Sequence, residues 1–547
     1  MGKIKVLDCT LRDGGYCNEW RFGKCNIEKI ISGLFKAGID IVECGFVNES
    51  VKYDADVTKY NSPVKIENFL PSKRNGKIYV AMMNYGDYTT TNLPLRGEIG
   101  IDGIRLAFHK KDIVQALDVG KQILEKGYLL FLQPMVSLSY SDDEFLNLIE
   151  KSNDLKPYAF YIVDSFGVMK HKDLMRFFYM VEHNLSKEIA IGFHSHNNMQ
   201  LAYSNAQALV DIRSSHDRII DCCVYGMGRG AGNLNTELFV EYLNDNIDTE
   251  YKLKPLLAII DEILEEFYQH SYWGYSLPNY LSAAHNTHPN YAEYLNDRHT
   301  LTVEEMNDIF DMMDDDKRFY YDKNYIEDLY IRYLSLDKVQ ENRREELAKK
   351  LARKKILLIA PGKSSVDEKD KLIEFATHND VVVVSVNYDY PYVSTDYIFI
   401  SNLRRFRELD KDKRSKCIVT SNISGDKIYL QTDYSELLNG SEMVQDNAGL
   451  MAIRFFQLCG VKSIYVAGMD GYSHETKSNF GDSRMAFIAK NAVLDEMNIG
   501  ISMVLGEYSK EVDIQFLTRK KYVTKGVLKD TMDSNDIEKD IGAILND

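Results

Sequence analysis

Eight short runs rich in β-branched and aromatic residues recur between residues 4 and 225: IKVLDC (4–9), DIVECGF (40–46), IYVAMM (78–83), GIRLAF (103–108), YLLFLQ (128–133), AFYIVD (159–164), IAIGFH (189–194) and RIIDCCVY (218–225). Stretches with helical apolar spacing, such as IEKIISGLFKAG and DIVQALDVGKQILEKG, lie between most of them. Eight β-then-α units in about 250 residues have the count and size of a (β/α)8 barrel. A doubly wound open sheet rarely needs eight regular units in one domain. The expectation is an α/β chain that opens with a TIM barrel over residues 1–250.

Residues 251–353 carry no β-run and read as a helical extension ending in a charged, solvated helix or linker. A third part, 354–547, contains KILLIA, VVVVSVN, DYIFIS, KCIVTS and KSIYVAGMD with helical stretches between. That pattern predicts a Rossmann-like open α/β sheet. The acidic stretch after 528 is expected to form a surface helix. The chain is 45% hydrophobic and 27% charged, an ordinary globular balance, and its net charge of −16 argues against wholesale binding of nucleic acid or anionic membranes. The start is too polar for a secretory signal, and no run of about 18 apolar residues predicts a membrane helix. Eight cysteines without a CxxC pair read as reduced, mostly buried thiols. A cytoplasmic homo-oligomer is expected.

In a barrel, reactive side chains sit at the C-terminal ends of the strands. Those ends supply Arg12 and Asp13 in TLRDGG, Glu43, Arg105, Gln133, Asp164 and Ser165, His194 and His196 in HSHNN, and Asn233 in YGMGRGAGN. His194 and His196 stand two residues apart, so both point to one strand face. With that face inward, the two imidazoles meet above the barrel, where Asp13 also reaches from the first strand. One carboxylate and two imidazoles leave open positions on a divalent ion, and Asn233 adds a neutral oxygen.

TLRDGG, HSHNN and GMGRGAGN together resemble the metal-dependent lyases and aldolases built on a (β/α)8 barrel. That superfamily includes 4-hydroxy-2-oxovalerate aldolase, 3-hydroxy-3-methylglutaryl-CoA lyase, isopropylmalate synthase and the pyruvate carboxylase transferase domain. The resemblance covers residues 1–250 and extends into THPNYAEYL. It implies Asp13, His194 and His196 as ligands of Mn2+ or Mg2+ (Co2+ or Zn2+ as alternatives), with Asn233 as a further ligand. It implies that Arg12 stabilises an enolate, which suits a guanidinium that stays charged. The activity implied is a carbon–carbon lyase joining or parting pyruvate and an aldehyde. An acyl-CoA-dependent Claisen synthase or lyase is the alternative, and a nucleotide-binding regulator with a relict barrel is a second.

One departure matters. The aldolases place a histidine three residues after the metal aspartate; here Tyr16 stands there. Tyr16, Glu19 or a metal-bound water is left as the acid/base group. Ser165, Arg105 and Gln133 are candidate substrate contacts. For Ser165 a helix cap, and for Arg105 a barrel-filling ion pair, are the structural readings. His288 is structural or caps the site.

In the third part, LLIAPGKSS places a Pro-Gly turn and two serines after the first strand, where backbone N–H groups could cradle phosphate. SEMVQDNAGLMAIRFFQLCGVKSIYVAGMDGYS resembles the Rossmann-like domains of bacterial sialyltransferases and of a pterin pyrophosphokinase family. The resemblance implies a nucleotide or nucleotide-sugar site, with Gly362, Ser364, Asp446, Asn447 and Asp470 as its contacts and surface-sugar biosynthesis as its setting.

Overall fold

The computed structural model describes residues 2–522 apart from 98–99, 248, 299, 336–340, 488 and 490; the helix expected after 528 lies outside the described residues. The chain forms two compact units, Met1–Asp297 with Met306–Lys323, and Arg298–Glu305 with Asn324–Asp547. The 251–353 stretch, read from sequence as one extension, is therefore shared between them.

The first unit holds β1 (Ile4–Asp8), β2 (Ile41–Val47), β3 (Ile78–Asn84), β4 (Gly103–Phe108), β5 (Leu129–Pro134), β6 (Ala159–Asp164), β7 (Ala190–Ser195) and β8 (Arg218–Cys222). Consecutive strands pair in parallel, and β1 pairs with both β2 and β8, so the sheet closes into an eight-stranded barrel. Helices α1 (Lys24–Ala37), α2 (Ile113–Glu125), α3 (Asp142–Leu155), α4 (His171–Asn184), α5 (Ala202–Asp211) and α6 (Thr236–Asn246) follow β1, β4, β5, β6, β7 and β8. After β2 the connection holds the two-residue strand Lys59–Tyr60, paired in parallel with β2 outside the barrel closure, and the 3-10 turn Pro63–Phe69; after β3 it holds the 3-10 turn Thr90–Asn92. Pro63, Pro71 and Pro94 interrupt these segments, and proline removes a helix donor and blocks the preceding turn.

Period decides which side each residue takes. Leu7, Ile41, Val80, Phe131, Tyr161 and Ile219 form one buried cluster inside the barrel. Their neighbours Val6, Val42, Ala81, Leu130, Ile162 and Ile220 face the other way and join a second cluster with helix residues. On α1, Ile27, Ile30, Ile31 and Leu34 share the buried face, and Gly38 ends the helix at φ +90°. Each such apolar side chain contributes roughly 1.5–3 kcal/mol on burial. Gly192 on β7 leaves an inward position empty, because a Cβ there would lie 2.3 Å from the Tyr161 ring. Tyr161 uses the space to cross the interior and donates its hydroxyl to Asp221 at 3.0 Å.

Beyond the barrel, α7 (Leu253–Ile259) continues through a π-helical turn, Ile260–Leu264, and packs on α1. Ala283 and Phe319 pack against Val136, Phe166 and Val168, which follow β5 and β6 at the C-terminal side of the barrel.

Among the described residues, the second unit is built on a seven-stranded parallel sheet of β9 (Lys355–Ile359), β10 (Val381–Val386), β11 (Tyr397–Ile400), β12 (Cys417–Thr420), β13 (Leu430–Thr432), β14 (Ser463–Ala467) and β15 (Asp513–Phe516). The order β13-β12-β11-β10-β9-β14-β15 reverses direction between β9 and β14. Among the described residues, no helix is long and apolar enough to cross a membrane.

Candidate active site

The residues after β1 and β7 meet as their period predicts. His194 Nε2 lies 3.3 Å and His196 Nε2 3.6 Å from Asp13 Oδ2. All three side chains are at least seven-eighths buried. His196 is further fixed by a backbone bridge to Asn233 on the loop after β8. Arg12 Nη1 lies 3.1 Å from Asp13 Oδ1, and Arg12 Nε donates to Glu43 Oε2 at 2.8 Å. Trp20 Nε1 donates to the Arg12 carbonyl at 2.7 Å and pins the TLRDGG turn.

Beneath these residues the interior is charged. Arg105, with no exposed surface, donates to Glu43 Oε2 at 2.7 Å and to Asp221. Asp221 Oδ2 lies 2.9 Å from His194 Nδ1. The chain Arg12–Glu43–Arg105–Asp221–His194 thus ties β2, β4, β7 and β8 together. A network of this kind specifies geometry when its members are paired and is costly when one is lost. Asp221 holds the His194 Nδ1 side and turns Nε2 toward Asp13, the way a carboxylate usually orients a metal-binding histidine.

Two groups of residues in the barrel offer metal-ligand atoms close together: Asp13, His194 and His196, and Cys9, His194 and Asp221. The first fits an ion better. Neither Asp13 carboxylate oxygen accepts a hydrogen bond, and the buried Asn233 Oδ1 also has no donor. Asp221 is already engaged by Arg105 and Tyr161, and the Cys9 thiol sits 3.3 Å from Cys223 Sγ. The electrostatics agree. Burial opposes ionisation of Asp13, but Arg12 and the two imidazoles hold its carboxyl well below the ordinary range. Burial pushes His196 down to about 4, which leaves its imidazole neutral. Burial opposes charge on His194 too, yet Asp13 and Asp221 raise it well above its ordinary value. Two carboxylates thus favour positive charge where the three side chains converge.

The other residues expected from sequence separate into groups. Arg105 and Gln133 are not at a substrate surface. Both are buried in the barrel, where Gln133, with its carbonyl turned to the guanidinium, accepts from Arg105 Nη2 at 2.9 Å. The barrel-filling ion pair is the reading that holds for Arg105. Ser165 Oγ accepts from Val136 N at 2.9 Å and holds the loop after β5, whose Val136 has φ +54°. Tyr16 is 45% exposed, and burial of its hydroxyl together with Asp13 pushes its pKa up. That makes the phenol a proton donor and a poorer base. Glu19 is exposed. His288 lies with Arg229, Phe166 and Tyr321 within the first unit.

Asp221 is the site residue that the sequence motifs missed. Its signal was an acidic residue at an inward-phase position of the apolar run RIIDCC.

In the second unit, the expected phosphate cradle is already filled by the protein's own bonds. Gly362 N donates to Gly468 O at 2.8 Å, Ser364 N to Asp470 Oδ2 at 2.7 Å and Ser365 N to Gly362 O at 3.1 Å. Gly362, Ser364 and Asp470 do come together, but as a closed turn. Asp446 accepts from the Tyr330 and Tyr434 hydroxyls at 2.6 and 3.2 Å, and Asn447 caps the helix Ala448–Leu458. Those two residues serve the unit's own packing.

Residues 106–263 match the HMGL-like family model. The 4-hydroxy-2-oxovalerate aldolases of Geobacillus genomosp. 3 and Carboxydothermus hydrogenoformans are 28% identical over 271 and 273 residues, each match covering 48% of this chain and 77% of the relative. The crystallised N-terminal domain of a provisionally assigned aldolase from Bacteroides vulgatus is 28% identical, covering 55% of this chain and 98% of that one at a TM-score of 0.47. The first unit is thus a closed eight-stranded TIM barrel whose sequence is similar to the HMGL-like family and to 4-hydroxy-2-oxovalerate aldolases.

Proposed function

We propose that this chain is a divalent-metal-dependent aldolase that forms or cleaves a carbon–carbon bond between pyruvate, as its enolate, and an aldehyde. One observation carries the reading. Arg12 Nη2 is buried without a hydrogen-bond partner, beside an Asp-His-His group whose carboxylate oxygens also lack donors. Asp13, His194 and His196 would hold the ion, with Asn233 Oδ1 as a neutral addition. When bound, Mn2+ or Mg2+ would supply Lewis-acid stabilisation of the oxygen on which enolate charge develops. Glu43 orients Arg12, so the free Nη2 N–H is fixed in advance toward that charge. A fixed donor costs no reorganisation as the reaction proceeds. Tyr16 keeps its proton and can donate to the oxygen of the aldehyde half. The glycine-rich segment 226–232 after β8 carries Met227 and Arg229 and no cysteine, which weighs against the acyl-CoA lyase alternative.

Proton NMR tests this directly. The methyl protons of pyruvate should exchange in D2O with Mn2+-loaded protein, and Arg12→Ala should slow exchange by about 10²–10³-fold. Replacing His194 and His196 together by Ala should remove the bound metal. Exchange that is absent from the loaded native chain, or unaffected by Arg12→Ala, would remove the basis for the aldolase reading.

The second unit is read as binding a phosphorylated ligand, with a nucleotide or nucleotide-linked sugar as its class. Support comes from a cleft of about 360 Å3 where Lys363, Arg519, Lys520 and Lys521 gather with Asp367, Asp470 and Glu475. These residues follow β9, β14 and β15, at the carboxyl ends of the strands beside the reversal in strand order, where open α/β sheets place their ligands. A cytoplasmic setting fits eight cysteines that are all free thiols.

A further inference from the structure

The loop after β8 carries a guanidinium that the enolate chemistry does not use. Arg229 is half-buried, its Nη2 donates to Asn290 Oδ1 and lies 3.4 Å from His288 Nδ1, and its guanidinium stands 5.6 Å over the Tyr16 ring. Among the described residues, no carboxylate lies within ion-pair distance of it. The contrast with its neighbours is sharp. Arg12 pairs with Glu43 and Asp13, and Arg105 with Glu43 and Asp221. His288 cannot compensate the charge, because burial and Arg229 itself push it down to about 3 and keep it neutral. A partly desolvated guanidinium held by neutral groups is a poor structural device and a good receptor for a carboxylate or phosphate, which it can grip with two parallel N–H bonds.

Its place indicates which half of the reaction it serves. The enolate would lie between the Asp13–His194–His196 group and Arg12. The inner side of that space is closed by Arg105, which has no exposed surface. The carbon that forms the new bond must therefore face the open side, where Tyr16 is 45% exposed and Arg229 lies across its ring. We propose that Arg229 binds an anionic substituent, a carboxylate or a phosphate, on the aldehyde. The enzyme's second substrate is then a negatively charged aldehyde. Asn290 and His288 position the guanidinium by accepting from it. This rests on the aldolase reading and names the substrate class of the same site.

Matched aldehydes separate the outcomes. Condensation with pyruvate would be measured for succinic semialdehyde against butanal, and for glyceraldehyde 3-phosphate against glyceraldehyde, with the full-length Mn2+-loaded protein. One charged member should exceed its neutral partner in kcat/KM by about tenfold or more, as expected for a charge-assisted hydrogen bond. Arg229→Gln should collapse that ratio toward one, mainly through KM of the charged aldehyde, and Arg229→Lys should restore part of it. A native enzyme indifferent to charge in both pairs would overturn the assignment. So would an Arg229→Gln variant that loses charged and neutral aldehydes equally, since the guanidinium would then serve pyruvate or the fold. Pyruvate methyl exchange by the native chain is the separate control. Its absence would overturn the aldolase reading, whereas exchange without charge discrimination would overturn this assignment alone.

Discussion

Asp221 accepts from Arg105 and from Tyr161 and lies against the Nδ1 side of His194. Replacing it with Asn keeps the shape but removes the charge that pairs Arg105 and fixes the imidazole. Metal affinity of Asp221→Asn should fall by about 10–100-fold, the usual cost of losing a ligand's orienting partner. Folding stability should fall by about 3–5 kcal/mol, because a buried guanidinium loses part of its compensation. Calorimetric titration with Mn2+ and urea unfolding read the two effects separately, and unchanged metal affinity would reduce Asp221 to a barrel ion pair. The convergence of His194 and His196 on Asp13 was legible in sequence, because an HxH spacing fixes two side chains on one face of a strand. Asp221 was not. A single acid in a strand has no spacing partner, and only the closed barrel shows that its inward phase brings it under His194. Arg105 and Gln133 were drawn toward the substrate for the converse reason: a strand reveals that they point inward but not how deep they sit.

Among the elements, β7 shows how much one small residue decides. A methyl group at Gly192 would stand 2.3 Å from the Tyr161 ring, which is itself held by its bond to Asp221 and by the Arg105 guanidinium 4.9 Å from its centroid. Neither side can yield cheaply, so Gly192→Ala should destabilise the chain by about 1–3 kcal/mol, the range for an overpacked core. It should also weaken Mn2+ binding, because displacing Tyr161 disturbs Asp221. A urea midpoint equal to that of the native chain would show that the ring has room the packing does not suggest. The eight strands themselves were readable, since apolar β-branched runs of this length separated by helical stretches admit few other folds. The connections after β2 and β3 were less so. Their prolines exclude a long helix, but 3-10 turns are set by local packing and leave no period in the sequence.

Across the molecule, charge is unevenly placed. The chain carries a net charge of −16, yet in one cleft of the second unit Lys363, Arg519, Lys520 and Lys521 outnumber the carboxylates Asp367, Asp470 and Glu475 that line it with them. Cytidine and uridine nucleotides and pyrophosphate, tested as probes on the whole protein, should include one that binds there. At a hundredfold excess over Kd it should stabilise by about 2.7 kcal/mol. Lys363→Glu combined with Lys521→Glu should abolish the effect. Equal binding of an unphosphorylated nucleoside, or none by any phosphate, would count against the phosphate reading. The parallel sheet of this unit was visible in its five β-runs, while its ligand contacts were not. Glycines and serines after a first strand signal a tight turn whether the turn serves a phosphate or only itself, and here Asp470 occupies the donors. The division of residues 251–353 was also hidden, because an amphipathic stripe says that a helix is buried and not against what. That division has a practical result. The polypeptide passes between the units three times, after Asp297, after Glu305 and after Lys323. No single excision can yield either one whole. A fragment stopped at Asp297 would keep every metal-ligand candidate and lose Phe319, which stacks on Phe166 beside the barrel mouth. Such a fragment would keep the Asp13, His194 and His196 cluster and leave the Phe166 ring without its stacking partner.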